Sequence, residues 1–376
     1  MKKHQGFLER MLQTQFSKAD IIINGDRPWD IRITNPKFYG YLLRGSTGFG
    51  IAYENGYWEC DQLDEFFFRF LRSPLSKSPL RYVGQWKLNL INALFNRQNV
   101  QRARIVGKKH YDLGNDLYRV MLDKRMIYSC GYWKDAQNLD QAQEHKLRMI
   151  CEKLQLKPGE RLLDIGCGWG GLAKFAAENY GVQVQGITIS REQAQLAREA
   201  CAGLPVEIHL MDYRHAANKL GTFDKVASVG MFEHVGPKNY REYMQAAARC
   251  LKDDGLFLLH TIGRSEDTAS ADPWIDTYIF PNGVVPGMKQ IITASRSIFA
   301  IEDWHNFGPD YDTTLMAWYA NFEKAWPELR ARYGERFRRC FRYYLLSCAA
   351  AFRARDIHLW QVVLTKDMIG GYRSIR

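Results

Sequence analysis

The sequence predicts an α/β protein with a mainly parallel sheet, preceded by a smaller α+β region. From about residue 147 onward, short apolar runs alternate with helical stretches, as in strands that are joined by crossover helices. The runs are RLLDIG, VQVQGITIS, VEIHLMD, KVASVG and GLFLLHTIG. The chain has 376 residues, and single cores seldom grow past about 250 residues, so we expect two domains.

The N-terminal part carries short β-type runs, IIING and IRITNP, broken by Gly, Asn and Pro, which predict a small α+β region. From Phe66 to Tyr111 the chain has ten Lys and Arg residues and no Asp or Glu. Apolar positions recur there at helical spacing, at Tyr82, Trp86, Leu90 and Leu94. This basic, amphipathic segment either lies at a membrane surface or packs on its own domain with its cations in solvent.

The composition limits the location and the partners. A net charge of +11 and a pI near 9.2 favour an anionic partner, either nucleic acid or an acidic membrane surface. Eight scattered cysteines without a CxxC pair are typical of a reducing cytosol. We expect no signal peptide, because Glu9 and Arg10 interrupt the first apolar stretch. No apolar run approaches the roughly 18 residues that span a bilayer, so membrane contact is expected to be peripheral.

A glycine-rich segment, DIGCGWG from Asp164, lies between the first predicted strand and a helical stretch. Gly166, Gly168 and Gly170 allow a tight turn and a close approach of the backbone to a nucleotide-like ligand. Such a turn alone is weak support, because dinucleotide-binding enzymes carry one at the same place. With Asp164 before the glycines, it resembles the Asp/Glu-x-Gly-x-Gly signature of class I S-adenosylmethionine-dependent methyltransferases. The other interpretation is that the glycines only permit a turn.

The next two strand ends carry further candidates for cofactor binding. The second strand ends in Thr188-Ile189-Ser190, where NAD enzymes and many methyltransferases have a ribose-binding carboxylate. Thr188 and the nearby Gln193 are candidates to donate hydrogen bonds to the ribose instead. Asp212 follows the third strand and is placed to reach the adenine amine.

A series of motifs runs in order along the chain from residue 110. It consists of HYDLGND from His110, YSCGYW from Tyr128, LDIGCGWGG from Leu163, MFEHVG from Met231, HTIG from His260, YIFPNG from Tyr278 and DYDTT from Asp310. The series resembles that of the cyclopropane-fatty-acyl-phospholipid synthases. The preceding hundred residues, including YWECD from Tyr57, resemble the smaller N-terminal domain of the bacterial members. Mycolic acid cyclopropane synthases share only the catalytic part, so the extra domain points to the phospholipid enzymes.

The resemblance implies a class I S-adenosylmethionine-dependent methyltransferase fold over residues 99–376 and a lipid-contacting domain over residues 1–98. It implies S-adenosylmethionine as the co-substrate, with Tyr128 and Ser129 in its site, and a phospholipid bilayer with unsaturated acyl chains as the partner. Methyl transfer to a cis double bond, followed by loss of a proton, would close a cyclopropane ring. The resemblance also implies a cytoplasmic homodimer, bound peripherally to the inner face of the membrane.

Ring closure needs a base, and family members are understood to hold a bicarbonate ion for this purpose. The resemblance assigns its binding to Cys130, Glu233, His260, the backbone at Ile262, and Tyr311. The residues themselves place Glu233 after the fourth predicted strand, at the carboxyl edge where α/β sheets build their sites. Glu233 itself as the base stays open, as does a purely structural buried ion pair for Glu233 and His260.

Two negative expectations complete the candidate site. Cys348 matches a family cysteine, but a cysteine among alanines on an apolar helix is expected to pack rather than to act as a nucleophile. No covalent step is needed when the electrophile is already a sulfonium. The histidines show no HExxH or comparable ligand spacing, so no metal site is expected.

Three competing functions stay in view at this point. The first is a methyltransferase of the same fold that acts on a soluble amine or a different lipid, and the joint presence of the YSC, FEHVG, HTIG and YDTT motifs is the feature that distinguishes it. An amine methyltransferase has no use for the base that cyclopropanation requires. A nucleic-acid methyltransferase would explain the positive charge, but the N-terminal half carries no RNA-binding motif, so no nucleic-acid partner is expected. A membrane-docking protein without activity would not need the intact glycine motif.

Overall fold

A computed structural model describes residues 2–77, 88, 96–98, 114–366 and 371–376. Its helices are α1 Lys2–Phe16, α2 Lys37–Leu42, α3 Gly45–Glu54, α4 Leu63–Arg72, α5 Asn115–Met121, α6 Leu139–Lys153, α7 Gly171–Tyr180, α8 Arg191–Ala200, α9 Ala216–Leu220, α10 Tyr240–Cys250, α11 Pro273–Tyr278, α12 Met288–Ser295 and α13 Pro309–Arg353. Its strands are β1 Arg32–Ile33, β2 Trp58–Glu59, β3 Arg161–Ile165, β4 Gln183–Thr188, β5 Val206–Leu210, β6 Phe223–Val229, β7 Leu251–Gly263, β8 Ala300–Asn306 and β9 His358–Thr365.

The chain forms two compact units. The first contains Met1–Phe95, Ser270–Pro281 and Tyr311–Ile357, and the second contains Asn96–Ala269, Asn282–Asp310 and His358–Arg376. Two later segments thus join the N-terminal residues, whereas the predicted division was a single boundary at residue 98. The functional division into a lipid-contacting part, 1–98, and a catalytic part, 99–376, stays a prediction.

The first unit has the small α+β character expected of it, with β1 and β2 paired antiparallel among helices. The predicted strand IIING is wrong, because it forms only one isolated bridge, between Ile23 and Ile31. Two local features replace the strand. Asn24 has a left-handed backbone with φ 57°, and the Ile22 N–H donates to the side chain of Asp30 at 2.7 Å.

An arginine ladder explains why the segment Tyr311–Ile357 belongs to the first unit. Arg339 donates to the Tyr53 carbonyl at 2.6 Å and pairs with Glu59 at 2.8 Å. Arg336 and Arg342 flank it at three-residue spacing on α13, so they share its face. They bond to Glu54 and to the carbonyls of Cys60 and Asp61. This half of α13 follows a break in helical geometry at Gly334.

The basic segment from Phe66 is only partly covered by the structure. Its four predicted helix positions, Tyr82, Trp86, Leu90 and Leu94, lie outside the described residues, as do His110–Leu113 of the first motif. Arg69 is described, and it pairs with Asp20 and Glu65. In the parts of the chain that are described, no helix is long and apolar enough to cross a membrane.

The second unit is built on a seven-stranded sheet in the order β5-β4-β3-β6-β7-β9-β8. The five predicted strands, β3 to β7, are parallel to one another, which confirms the predicted fold class. The sheet is buried on both sides, because Leu162 packs in one apolar cluster and Leu163 in another. Because β3, β6 and β7 are adjacent and parallel, their carboxyl ends lie side by side at one edge of the sheet. The antiparallel strands β9 and β8 were not predicted.

Candidate active site

The glycine motif forms the predicted turn between β3 and α7. Gly166, Gly168 and Gly170 all have a left-handed backbone, with φ of 83°, 54° and 86°, which favours glycine. A Cβ atom at Gly166 would lie 3.0 Å from the Met231 side chain. The turn therefore approaches the segment that follows β6, and a larger residue at Gly166 would strain both the backbone and this contact.

Asp164 lies on β3, directly below the turn, with 2% of its surface exposed. Its Oδ2 atom has no hydrogen-bond partner among the described residues. Burial raises the pKa of this carboxyl to about 7, although the nearby charge of Lys146 opposes the effect. A buried polar atom without a partner is costly, so donors on a bound ligand would find an acceptor here.

The other predicted cofactor residues lie at the ends of the neighbouring strands. Thr188 ends β4, and its hydroxyl donates to Gln193 Oε1 at 2.9 Å, so the two residues act as one buried pair. Asp212 follows β5 and accepts from the Arg214 guanidinium at 3.0 and 3.1 Å. Sequence reasoning missed Arg214, which neutralises the carboxylate that was assigned to the adenine amine.

Helix α6 holds the YSCGYW segment in place. Lys146 donates to Ser129 Oγ at 3.0 Å, and Gln143 donates to the Ser129 carbonyl at 2.8 Å. Cys130 is fully buried, and its thiol donates to the Gly131 carbonyl at 3.0 Å. Sequence reasoning missed Lys146 and Gln143. The available signal was their polarity at helical positions that otherwise face the core.

This segment also reaches the end of β6, and Tyr128 is connected to the glycine turn through Tyr118. A Cβ atom at Gly230, just beyond β6, would lie 4.0 Å from the Ser129 Cβ. The Tyr128 ring is 5.2 Å from that of Tyr118, which in turn is 5.0 Å from Trp169 of the glycine turn. The predicted residues Tyr128, Ser129 and Cys130 therefore belong to the same strand-end region as the glycines.

Glu233 and Ile262 are in direct contact. Glu233 follows β6 in the short 3-10 helix Phe232–His234, and its Oε1 accepts from the Ile262 N–H at 2.7 Å. Its Oε2 is buried without a partner among the described residues. Burial raises the pKa of Glu233 to about 7. Near neutral pH this carboxyl therefore exists in both protonation states, as acid–base chemistry requires.

His260 lies two residues before Ile262 on β7 and is 1% exposed. Its Nδ1 is 3.3 Å from Gln361 Nε2, and its Nε2 has no partner among the described residues. Burial lowers the pKa of His260 well below its ordinary value, so the imidazole is neutral. The structure thus brings Glu233, His260 and Ile262 together at the ends of β6 and β7.

Tyr311 and Cys348 belong to the first compact unit. The Tyr311 ring stacks on Phe352, with 4.5 Å between centroids. Burial raises the pKa of the Cys348 thiol to about 12, which keeps it from forming a reactive thiolate and supports the packing interpretation. No cluster of three His, Cys, Asp or Glu residues within the described ranges could hold a metal ion.

Comparisons with known proteins identify the family. Residues 98–362 match the family model described as mycolic acid cyclopropane synthetase. The chain belongs to this family. It is 56% identical to the cyclopropane-fatty-acyl-phospholipid synthase of Escherichia coli K12, over 98% of this chain and 96% of the relative. A probable fatty acid methyltransferase of Pseudomonas putida is 39% identical, over 71% of this chain and 70% of its own length.

Solved structures of other proteins support the predicted fold. The mycolic acid cyclopropane synthase CmaA1, in a complex with SAH and CTAB, is 31% identical, with a TM-score of 0.63, and the match covers 69% of this chain and 97% of that one. Coclaurine N-methyltransferase, at 20% identity and a TM-score of 0.66 over 84% and 98% of the two chains, supports the fold alone. The predicted fold and the prediction of an S-adenosylmethionine-dependent methyltransferase are confirmed.

Proposed function

We propose that this family member transfers a methylene group from S-adenosylmethionine to a cis double bond of unsaturated acyl chains in membrane phospholipids, forming a cyclopropane ring. The observation that carries the proposal is the 56% identity to the E. coli phospholipid enzyme, which extends over 98% of this chain. The matched mycolic acid synthase covers a smaller part of this chain. The match to the phospholipid enzyme therefore covers more of this chain than the match to the mycolic acid enzyme, and this difference favours a phospholipid substrate.

The strand-end residues fit S-adenosylmethionine, which supplies an activated methyl group on a sulfonium. Gly166, Gly168 and Gly170 leave room for its close approach, and Asp164 offers an acceptor to its donors. Tyr128, Ser129, the Thr188–Gln193 pair and Asp212 complete the proposed site. An alkene needs no deprotonation before it attacks, so these residues act by alignment and by exclusion of water.

Bicarbonate is the proposed base, because it would supply a small proton acceptor close to the new methyl group. Cys130, Glu233, His260, the Ile262 backbone and Tyr311 would hold it. The unpartnered His260 Nε2 and Glu233 Oε2 suit a small hydrogen-bonding anion. The Ile262 N–H already donates to Glu233, so an anion would share this donor with the carboxylate. Glu233 acting directly as the base is the alternative.

The test is to incubate the protein with S-adenosylmethionine and vesicles of unsaturated phospholipid, with and without bicarbonate, and to weigh the acyl chains. If acyl chains heavier by one CH2 unit form only when bicarbonate is present, the result would support both the reaction and the base. Product that is independent of bicarbonate, but lost in Glu233→Gln, would favour Glu233 as the base. Intact S-adenosylmethionine binding without product would refute the proposed acceptor. The matched control is Glu178→Gln, because Glu178 forms a half-exposed ion pair with Lys174 on α7.

Peripheral docking of a cytoplasmic homodimer to the inner face of the membrane is part of the proposal. Two basic faces on one bilayer would gain avidity. Arg69 contributes little to such a face, because it pairs with Asp20 and Glu65 and lies 4.1 Å from the Trp29 ring. The docking charge is instead assigned to the cations from Arg72 to Lys109.

Vesicle flotation tests the docking proposal. Replacing Lys108 and Lys109 by Gln should weaken binding to anionic vesicles, and added salt should reduce the difference, because salt screens exposed charges. The control is Arg330→Gln, an exposed arginine on α13. Equal binding of the double variant and the wild type at low salt would refute this assignment. Sedimentation of the wild type as a monomer would refute the homodimer.

A further inference from the structure

A row of polar side chains crosses the antiparallel end of the sheet. His260 on β7 lies opposite Gln361 on β9, and Gln361 lies opposite His305 on β8. Directly opposed residues of antiparallel strands share one face of the sheet, with Cβ atoms about 4.5–5.5 Å apart. Gln361 is fully buried between apolar neighbours. A buried amide in such a strand is costly unless it is hydrogen-bonded. Gln361 Nε2 has a partner in His260, whereas Oε1 is buried without one among the described residues.

The amide of Gln361 turns its NH2 group toward His260 in this structure, and this orientation sets which ring nitrogen carries the proton. Gln361 Nε2 belongs to an amide NH2 group, which only donates, and it lies 3.3 Å from His260 Nδ1. Nδ1 is therefore the acceptor and carries no proton. A neutral imidazole has one N–H, which must then be on Nε2, the atom without a partner among the described residues.

Burial, together with the charges of two buried lysines, lowers the pKa of this imidazole and keeps it neutral. Lys146 and Lys153 are seven residues apart on α6, so they lie on the same face of the helix, and both are almost completely buried. Lys153 Nζ is 3.0 Å from His305 Nδ1 and 3.5 Å from Asp303. Burial and the charges of both lysines lower the pKa of His260. The neutral imidazole has a single ring proton, and the nitrogen that carries this proton decides what His260 can bind.

We propose that Gln361 is a positioning residue that orients His260 and fixes its proton on Nε2, so that this nitrogen donates to an anionic ligand. Gln361 contacts no reacting atom itself and acts only through the imidazole. The identity of the anion rests on the proposed function, in which it is bicarbonate. The tautomer is independent of that function and is measured on the protein alone.

Nitrogen-15 NMR of histidine-labelled protein tests the tautomer. The chain has nine histidines, and His260→Asn identifies the signals of interest. In the wild type we expect an unprotonated Nδ1 and a protonated Nε2. Gln361→Met removes the donor at similar volume and should give averaged signals of two exchanging tautomers. A proton on Nδ1 in the wild type, or unchanged signals in Gln361→Met, would overturn the proposal.

Two further variants keep the test decisive if Gln361→Met does not fold. Gln361→Glu keeps the length of the side chain but offers an acceptor, so Nδ1 should become protonated; an unprotonated Nδ1 there would also overturn the proposal. Thr365→Val is the matched control, because Thr365 lies four residues along β9 and its buried hydroxyl donates to Glu302 at 2.9 Å. It should leave the His260 signals unchanged, and a change there would assign the effect to general loosening of β9.

Anion binding provides the second measurement. In Gln361→Met only the fraction of the imidazole with its proton on Nε2 can donate to the anion, so the half-saturating bicarbonate concentration should rise about two- to five-fold. S-adenosylmethionine affinity should stay within about two-fold, and equal bicarbonate dependence in variant and wild type would overturn the proposal. If wild-type turnover does not depend on bicarbonate but the tautomer is as expected, the proposed base fails and the positioning role stands.

Discussion

Glu233→Gln should make the protein more stable above neutral pH while it removes activity. Glutamine keeps the shape of the side chain and an oxygen that accepts from the Ile262 N–H, a contact of 2.7 Å in the wild type. What it removes is the negative charge of a buried carboxyl, because the amide NH2 takes the place of the second oxygen, which has no partner in the described structure. The same burial that suits Glu233 for proton chemistry therefore weakens the fold.

The size of the effect follows from the pKa of Glu233, which burial raises from 4.5 to about 7. Between these two values the folded protein binds more protons than the unfolded chain, so stability falls as pH rises. The loss is complete above about pH 7. A difference of this size corresponds to about 3 kcal/mol. At pH 8 Glu233→Gln should gain up to that amount over the wild type, and near pH 4.5 the gain should vanish.

Urea unfolding at pH 5 and pH 8 measures this difference, with amide exchange on β7 reporting on the second unit. Glu242→Gln is the control. Glu242 is half-exposed in its ion pair with Arg214, so this pair should contribute less than about 1 kcal/mol to the free energy of unfolding at either pH. A Glu233→Gln protein that gains no more stability at pH 8 than at pH 5 would refute the reasoning. Full activity in that variant would refute the role of Glu233.

Three further outcomes are expected. Asp164→Asn should weaken S-adenosylmethionine binding about ten-fold or more in calorimetry, since an acceptor for the ligand's donors loses its charge; unchanged affinity would count against the proposed site. Arg339→Met should destabilise the first unit by about 2 kcal/mol in urea, because it removes bonds to Glu59 and the Tyr53 carbonyl. Arg330→Met should stay within about 0.5 kcal/mol, and equal losses would contradict the ladder. Cys348→Ser should keep substantial turnover with vesicles, whereas loss of activity with intact folding and cofactor binding would restore a chemical role.

Much of the second unit could be predicted because its signals are local. A parallel strand covered on both faces is a mostly apolar run, so RLLDI and KVASV are recognisable without any knowledge of their partners. The glycine turn and Glu233 follow such strands directly, and their positions at the sheet edge were therefore predictable. IIING failed for a local reason too, because a side-chain acceptor at Asp30 replaced the ladder.

The residues that were missed depend on contacts between distant parts of the chain. Gln361 stands in an apolar strand, which signals a special role, but its partner lies 101 positions earlier. Lys146 is likewise a visible exception on an apolar helix face, and its partner Ser129 is 17 positions away. Each polar residue at an apolar position was visible in the sequence, but its hydrogen-bond partner is determined only by the fold.

Three buried atoms connect this site to its stability. Asp164 Oδ2, Glu233 Oε2 and His260 Nε2 all lack partners in the described structure, and they belong to the ends of three adjacent strands, β3, β6 and β7. Each such atom costs about 1–3 kcal/mol unless something bonds to it. Asp164 lies under the glycine turn, whereas Glu233 follows β6 and accepts from Ile262, two residues after His260 on β7. Two ligands that satisfy separate members of this set should therefore each stabilise the fold.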